Sequence, residues 1–200
     1  MEQLESKKIK EALSNHGIIA FPTETVMGLG VYFDDEEAFH RLNDIKNRIP
    51  NKPYTLMLDS TDKIGDFAKI DGKAYKIIEK FMPGPITILL NCNDNLPFWL
   101  DMGTGIIGIR VPSYSVTLDV LKAAEKPLLV PSANKRDDKP ARNSDEVIQI
   151  FEKSINYVVE GECLSNIPST IIDLTKEEIK IIRQGNISIE DIKRVVEEKR

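Results

Sequence analysis

The chain has 200 residues, of which 41% are hydrophobic and 30% are charged, and its formal net charge at pH 7 is −5. These fractions are typical of an ordinary soluble globular domain and argue against wholesale disorder. The acidic balance argues against a protein that coats nucleic acid, because such domains are normally basic. The N-terminal segment lacks the apolar stretch of a secretory signal, and no apolar run is long enough to span a bilayer. With Cys92 and Cys163 predicted as free thiols, the sequence indicates a cytoplasmic protein.

Short helices and strands are predicted from one end of the chain to the other. The first helix carries Leu4 and Leu13 on its apolar side and ends at His16. Capping-box spacing between Asp34 and Glu37 predicts a second helix with Asp34 as its N-cap. Further helices are predicted over 73–82, 116–124, 144–151 and 189–199, and strands over 18–21, 54–58, 86–90, 106–111, 128–130, 157–159, 170–174 and 179–182.

The order of these elements predicts the fold class. Strands follow strands in some parts of the chain and helices in others, which disfavours a strictly parallel doubly wound sheet. The pattern favours an α+β fold in which helices flank a mixed, twisted β-sheet, with Ser144 and Ser188 capping two of the helices. Because the chain has no repeats, low-complexity tracts or linker-like stretches, residues 1–200 are predicted to form a single domain.

The common nucleotide-binding and hydrolase signatures are absent from the sequence. No GxxxxGK[ST] motif occurs, and Gly28-Leu-Gly30 is followed by Phe33 where a dinucleotide fingerprint requires glycine. His16 and His40 are the only histidines, and both have polar neighbours on predicted helices. A Ser-His-Asp or HExxH hydrolase therefore has few residues to work with.

Polar and cationic residues instead follow the apolar strands. Lys46 and Arg48 join them at the predicted C-terminus of the second helix. Ligands commonly bind at strand ends, where several loops converge, so these residues are candidates for a binding site. Each residue alone is also compatible with a solvated arginine or a turn-forming serine or asparagine. The residues after strands are Pro22–Thr25, Arg110, Ser132–Asn134 and Arg183.

Six segments between residues 17 and 185 form an ordered set. They read PTETVMGLG at 22–30, KNR at 46–48 with KP at 52–53, PGPIT at 83–87, GIRVP at 108–112, PSAN at 131–134, and PSTIID at 168–173 with RQG at 183–185. In this order they resemble the PT[DE]TVYGLG, KxRP…NPL or KPL, PGPxT, xxRxP, PSAN and ST[VI]xD…xxRxG motifs of the YrdC/TsaC family of threonylcarbamoyl-AMP synthases. Six matches in family order make a chance resemblance improbable.

The resemblance implies a fold and a reaction. The implied fold is a YrdC-like three-layer α/β structure with a mixed twisted sheet and a large cationic concave cavity. The implied reaction condenses L-threonine, bicarbonate and ATP into L-threonylcarbamoyladenylate, pyrophosphate and water. The chain resembles the short, single-domain form, which releases the adenylate to a tRNA threonylcarbamoyltransferase. Whether the chain itself contacts tRNA is left open.

The resemblance also assigns roles to individual residues. Lys46 and Arg48 are the implied catalytic cations on the triphosphate and the carboxylate, with Arg48 as a bidentate fork. Mg²⁺ would be carried by the phosphates of ATP, because the sequence offers no dedicated carboxylate cage. The implied ATP-binding residues are Lys46, Arg48, Ser132, Asn134 and Arg183, and the implied threonine-binding residues are Thr25, Arg110 and Ser169.

Several residues depart from the family motifs. Met27 stands where the family commonly has tyrosine, and Met57 stands where some members have a histidine that contacts threonine. Asn47 and Ile49 alter the usual KGRP, and the charged segment 135–139 replaces a shorter loop after PSAN. None of these departures removes a residue with an implied role.

Two alternatives remain open at this point. The cationic cleft could hold the phosphate backbone of RNA in a non-catalytic binding module, although the acidic net charge and the absence of aromatic stacking platforms weigh against it. A related synthase could activate serine, since one methyl group in a pocket is worth only about 1–3 kcal/mol.

Overall fold

The computed structural model describes residues 3–48 and 53–198, so residues 49–52 and the predicted helix end at Lys199 lie outside the described part. Two short 3₁₀ helices cover Thr61–Asp66 and Glu152–Ser154. The α-helices are α1 (Gln3–Ser14), α2 (Glu36–Lys46), α3 (Gly72–Phe81), α4 (Phe98–Asp101), α5 (Ser115–Ala124), α6 (Ser144–Phe151) and α7 (Ile189–Glu197). The strands are β1 (Ile19–Phe21), β2 (Gly28–Tyr32), β3 (Thr55–Met57), β4 (Ile86–Asn91), β5 (Ile106–Arg110), β6 (Leu128–Leu129), β7 (Tyr157–Val158), β8 (Thr170–Asp173) and β9 (Lys180–Arg183).

The nine strands form one sheet in the order β7-β1-β2-β6-β3-β5-β4-β8-β9. Three neighbouring pairs are parallel (β1 with β7, β3 with β5, and β4 with β8), whereas the other pairs are antiparallel. The mixed sheet predicted from the element order is therefore confirmed. Within the described residues, no helix is long and apolar enough to cross a membrane.

Helices cover the two faces of the sheet unequally. On one face, α2, α3, α6 and α7 pack on the larger apolar cluster, which contains Leu42, Ile77, Val147 and Ile192. On the other face, α1 and α5 are the only helices among the described residues that contribute to the second cluster, and they pack over β1 and β6. Part of this second face, over β3, β5, β4 and β8, is therefore available for a cavity.

Two helix N-caps differ by one residue from the sequence prediction. The side chain of Asp35, and not that of Asp34, accepts the hydrogen bond from Ala38 N at the start of α2. Asp34 instead forms an ion pair with Lys126, 2.7 Å away. The prediction chose the first of two adjacent aspartates, each of which has the chemistry of an N-cap. In α6 the cap is Asn143 and not the predicted Ser144, whereas Ser188 caps α7 as predicted.

Strand β2 was not predicted, because two of its five residues are glycines and not the β-branched or aromatic residues that usually indicate a strand. A Cβ on Gly28 would lie 2.6 Å from Val130 Cγ1, and one on Gly30 would lie 2.8 Å from Phe21 Cε1. Such contacts are shorter than van der Waals packing allows, so β2 needs glycine at both positions to approach its neighbours. The Gly-Leu-Gly segment thus has a role in strand packing.

His16 at the end of α1 is expected to make stability depend on pH. Its Nδ1 lies 2.9 Å from Asp35 Oδ1, and this hydrogen bond, helped by the charges of Asp35 and Glu37, raises the pKa of His16, while Arg41 opposes the shift. Because the folded pKa is above the unfolded value, the stabilisation is complete below about pH 6.5 and is lost as pH rises through the folded pKa. We expect the difference in unfolding free energy between wild type and His16→Asn, measured by urea denaturation, to shrink from about pH 5 to about pH 8. A difference that stays constant with pH would contradict this.

Candidate active site

A cavity of about 460 Å³ lies on the incompletely covered face of the sheet. Its floor comes from alternate positions of the central strands: Thr55 on β3, Thr87 on β4 and Ile171 on β8. Their neighbours Leu56 and Ile88 have no solvent exposure and pack on the opposite face. This follows from the two-residue period of a strand. The sequence predicted a site at strand ends, whereas the cavity extends across the face of the sheet.

Arg48 enters the cavity from the turn after α2. Asn47 ends the helix in the left-handed conformation, with φ 49° and ψ 44°, which asparagine tolerates better than most residues. The Arg48 guanidinium then lies 4.0 Å from the ring centroid of Tyr54, and its Nη2 donates to Pro53 O at 2.9 Å. The Tyr54 hydroxyl donates to Asn43 Oδ1 on α2 at 2.7 Å. Partial burial lowers the pKa of Arg48 from its ordinary value.

Lys46 is buried behind the loop that follows β6. Its Nζ donates to Ser132 O and Asn134 O, both at 2.6 Å, and to Asn134 Oδ1 at 3.4 Å. Burial, with a smaller contribution from the nearby Arg48, lowers the pKa of Lys46 to about 7. The Ser132 hydroxyl in turn donates to Asn134 Oδ1 at 2.6 Å. Lys46 therefore fastens the Ser132–Asn134 loop to the end of α2.

Arg110 is held by a carboxylate that sequence reasoning missed. Its Nη2 lies 2.9 Å from Glu24 Oε1, and its Nη1 donates to Thr25 Oγ1 at 3.0 Å. Ser113 N also donates to Glu24 Oε1. The ion-pair contact is short, but its angle is not that of a hydrogen bond. Among the described residues, Glu24 Oε2 and Arg110 Nε and Nη2 have no hydrogen-bond partner although they are buried.

The sequence nevertheless contained a feature that could have identified Glu24 as a site residue. It lies in the same Pro22–Thr25 segment from which Thr25 was selected, and it is the only acidic residue there. An acidic residue beside a candidate arginine site would have been a reasonable partner for Arg110.

Arg183 and two hydroxyls form the far wall of the cavity. Arg183 Nε donates to Ser169 O, and its Nη2 donates to Ser169 Oγ, both at 3.0 Å. Ser169 Oγ also lies 3.0 Å from Thr87 Oγ1. Burial and then the charge of Arg110 lower the pKa of Arg183. An anion between the two arginines would relieve this repulsion.

The structure brings most of the sequence-predicted site residues to one cavity. Six of the eight line it, whereas Lys46 and Asn134 lie behind the Ser132 loop. Both methionine departures, Met27 and Met57, line it as well. Segment 135–139 contributes no lining residue among those described. The six residues are Thr25, Arg48, Arg110, Ser132, Ser169 and Arg183.

Lys46→Met is expected to change how stability depends on pH. The folded pKa of Lys46, about 7, lies below the value of about 10.4 in an unfolded chain. Folding therefore releases a proton between these values, and the contribution of Lys46 to stability rises with pH in this window.

We expect the unfolding free energy of wild type to rise relative to Lys46→Met above about pH 7, by up to about 1.4 kcal/mol per pH unit. Urea denaturation at several pH values measures the difference, and Lys8→Met, on the exposed side of α1, is the control. A pH-independent difference would show that Lys46 stays charged on its three acceptors.

Comparisons with known proteins agree with these features. The Sua5/YciO/YrdC family model, described as "Telomere recombination", matches residues 11–185. A threonylcarbamoyl-AMP synthase of Pyrococcus abyssi is 30% identical over an alignment of 202 residues, gaps included. The alignment covers 98% of this chain and 59% of that protein. A Methanocaldococcus jannaschii protein, provisionally named a threonylcarbamoyl-AMP synthase, is 31% identical over 199 residues, covering 97% of this chain and 94% of that protein. The chain thus spans less than two thirds of the P. abyssi protein.

Solved structures match along nearly the whole chain. P. abyssi Sua5 in complex with L-threonine has a TM-score of 0.93 at 29% identity and covers 100% of this chain and 59% of its own. Escherichia coli YciO has a TM-score of 0.88 at 24% identity, over 96% of this chain and 94% of its own, which supports the fold. Because the family model and relatives of 30% identity both extend over most of its length, the chain belongs to the Sua5/YciO/YrdC family.

Proposed function

We propose that the chain is a threonylcarbamoyl-AMP synthase, a nucleotidyltransferase that makes L-threonylcarbamoyladenylate from L-threonine, bicarbonate and ATP. The observation that carries the proposal is a single cavity lined by three arginines, Arg48, Arg110 and Arg183, together with several hydroxyl groups. Relatives named for this activity, one of them solved with L-threonine, support it.

The chemistry requires such a site because almost every reactant is anionic. The threonine amine attacks the carbon of bicarbonate, or of the carbon dioxide derived from it, and water is lost overall. An oxygen of the resulting carbamate attacks the α-phosphorus of ATP, and pyrophosphate leaves with the bonding electron pair. Little covalent help is needed, so positioning and charge stabilisation supply most of the catalysis.

The nucleotide is proposed to bind on the Arg48 side of the cavity. Arg48 would meet the triphosphate, Ser132 would contribute its hydroxyl, and Arg183 would contact ATP from the opposite wall. The ATP contact predicted for Asn134 would require its amide to exchange its present acceptors, Lys135 O and Asp138 O, for the nucleotide. Lys46 is proposed to hold the Ser132 loop in position for ATP. The direct phosphate contact predicted for Lys46 would require its ammonium to exchange a carbonyl acceptor for a phosphate oxygen.

L-Threonine is proposed to bind near Arg110, Thr25 and Ser169. Arg110 suits the amino acid carboxylate, because its buried Nε has no acceptor among the described residues. The hydroxyls of Thr25 and Ser169 would bind the remaining polar groups of the amino acid.

Mg²⁺ is proposed to arrive with ATP. Within the described residues, no three His, Cys, Asp or Glu side chains are grouped as metal ligands, so the phosphates would supply the principal ligands. The ion would neutralise charge on the phosphates, while the protein contributes its cationic side chains.

We also propose that residues 1–200 act as one domain in the cytoplasm and that a tRNA threonylcarbamoyltransferase takes up the adenylate. The RNA-binding alternative is not favoured, because the three arginines line a cavity and not an open strip.

Pyrophosphate release tests the proposed function. The purified chain is incubated with ATP, Mg²⁺, bicarbonate and L-threonine, with each omitted in turn, and fresh mixtures are analysed by mass spectrometry for the adenylate. The expected result is release that requires both threonine and bicarbonate. L-Serine in place of threonine measures substrate preference. ATP that stays intact in every mixture would overturn the proposal.

A further inference from the structure

We propose that Tyr54 is a positioning residue for Arg48, and that its ring fixes the guanidinium without neutralising it. The inference rests on the proposed function only in giving Arg48 a phosphate to bind. The Arg48 guanidinium carbon lies 4.0 Å from the centroid of the Tyr54 ring, within the range of a cation–π contact. Tyr54 is only 3% exposed, so water screens this contact weakly.

The ring of Tyr54 is itself fixed on two sides. Its hydroxyl donates to Asn43 Oδ1 at 2.7 Å, and the ring of Phe39 meets it edge-on with centroids 5.8 Å apart. Asn43 O also accepts from Arg48 N at 3.1 Å. One residue of α2 thus holds both the backbone of Arg48 and the ring on which its guanidinium rests.

The restraint orients a side chain that is otherwise flexible. Pro53 O fixes the position of Arg48 Nη2 at 2.9 Å, while the Tyr54 ring restrains the plane of the guanidinium. An arginine held in this way loses less conformational freedom when an anion binds, which favours affinity and correct geometry.

Arg48 and Arg110 differ in the charge of the side chain that holds them. Arg110 lies against the carboxylate of Glu24, so a negative charge of the protein already faces it. Arg48 lies on a neutral ring, and burial raises the pKa of the Tyr54 hydroxyl, which keeps it neutral. The Tyr54 ring thus restrains Arg48 without placing a negative charge beside it, whereas a carboxylate in place of Tyr54 would compete with phosphates.

The test varies the ring while it preserves the shape of the residue. Phenylalanine and its mono-, di- and trifluorinated forms are incorporated at position 54, and the affinity for Mg²⁺-pyrophosphate is measured by calorimetry beside turnover. Fluorine withdraws electron density from the ring face and weakens a cation–π contact with little change in volume. We expect Tyr54→Phe to bind within about threefold of wild type and the trifluorinated ring to bind about tenfold more weakly.

Two further variants separate positioning from simple packing. Tyr54→Met keeps an apolar side chain without a π face, and we expect about the tenfold loss of the trifluorinated ring. In an Arg48→Met background the fluorine series should have no effect, because the cation is gone. Thermal unfolding of each variant monitors folding.

Equal pyrophosphate affinity across the fluorine series would overturn the inference. So would an equal decline in affinity along the series with Arg48 present and in the Arg48→Met background. Wild type that does not bind pyrophosphate would also overturn it. Failure of the proposed function has a different signature, since turnover would then be absent while pyrophosphate affinity still followed the ring.

Discussion

Arg48→Ala is expected to lower the turnover number about 10²–10³-fold, the scale for loss of one preorganised group that stabilises transition-state charge. Arg48 is held by the Tyr54 ring and by Pro53 O, and it lies on the proposed triphosphate side of the cavity. The loss should appear in kcat as well as in kcat/KM for ATP, because charge on the transferring phosphate grows in the transition state. Steady-state pyrophosphate release measures both constants.

The matched control is Arg194→Ala on the exposed surface of α7, which should retain wild-type kinetics. Arg48→Lys keeps the charge but loses the planar fork, so an intermediate turnover number is expected. A near-wild-type turnover number for Arg48→Ala would remove Arg48 from the site.

Glu24→Ala is expected to lower the free energy of unfolding by about 3–5 kcal/mol, because it leaves the charge of Arg110 buried without a partner. Arg110 and Glu24 are only 5% and 8% exposed, so water replaces the lost carboxylate poorly. Ser113 N would lose its acceptor as well. Urea denaturation followed by circular dichroism measures the change.

The double variant Glu24→Ala/Arg110→Met provides the control for this pair. Removing both charges should cost less than the sum of the two single changes, because no unpaired charge remains. Strict additivity would mean that the two side chains do not interact and that Glu24 does not hold Arg110.

Local sequence signals predicted most elements of the fold, but long-range packing decided the rest. Strands β4 and β5 were predicted because Ile86–Leu90 and Ile106–Val111 are rich in β-branched residues. Strand β2 was missed, since the reason for Gly28 and Gly30 lies in side chains of other strands. Leu4 was assigned to the apolar side of α1, yet it is 63% exposed. A periodic pattern identifies the apolar face of a helix, but it does not show how much of that face other elements cover.

The same division applies to the candidate site. Ordered motifs identified which loops carry polar residues, but not the direction of each side chain. Lys46 and Arg48 are two residues apart, yet Lys46 is buried behind the Ser132 loop whereas Arg48 lies in the cavity. The left-handed turn at Asn47 and the position of that loop cause the difference. Glu24 was missed because its importance depends on Arg110, which is 86 residues away in the chain.

The alternation of core and cavity residues along the central strands bears on how such a protein can change. Thr87 faces the cavity, whereas Ile86 and Ile88 on either side of it have no solvent exposure and belong to the core. Substitutions at the cavity positions can therefore reshape the pocket without creating voids in the opposite layer. Along β4, ligand preference and thermodynamic stability therefore depend on alternating residues, so the cavity position can change while the core positions on either side of it are kept.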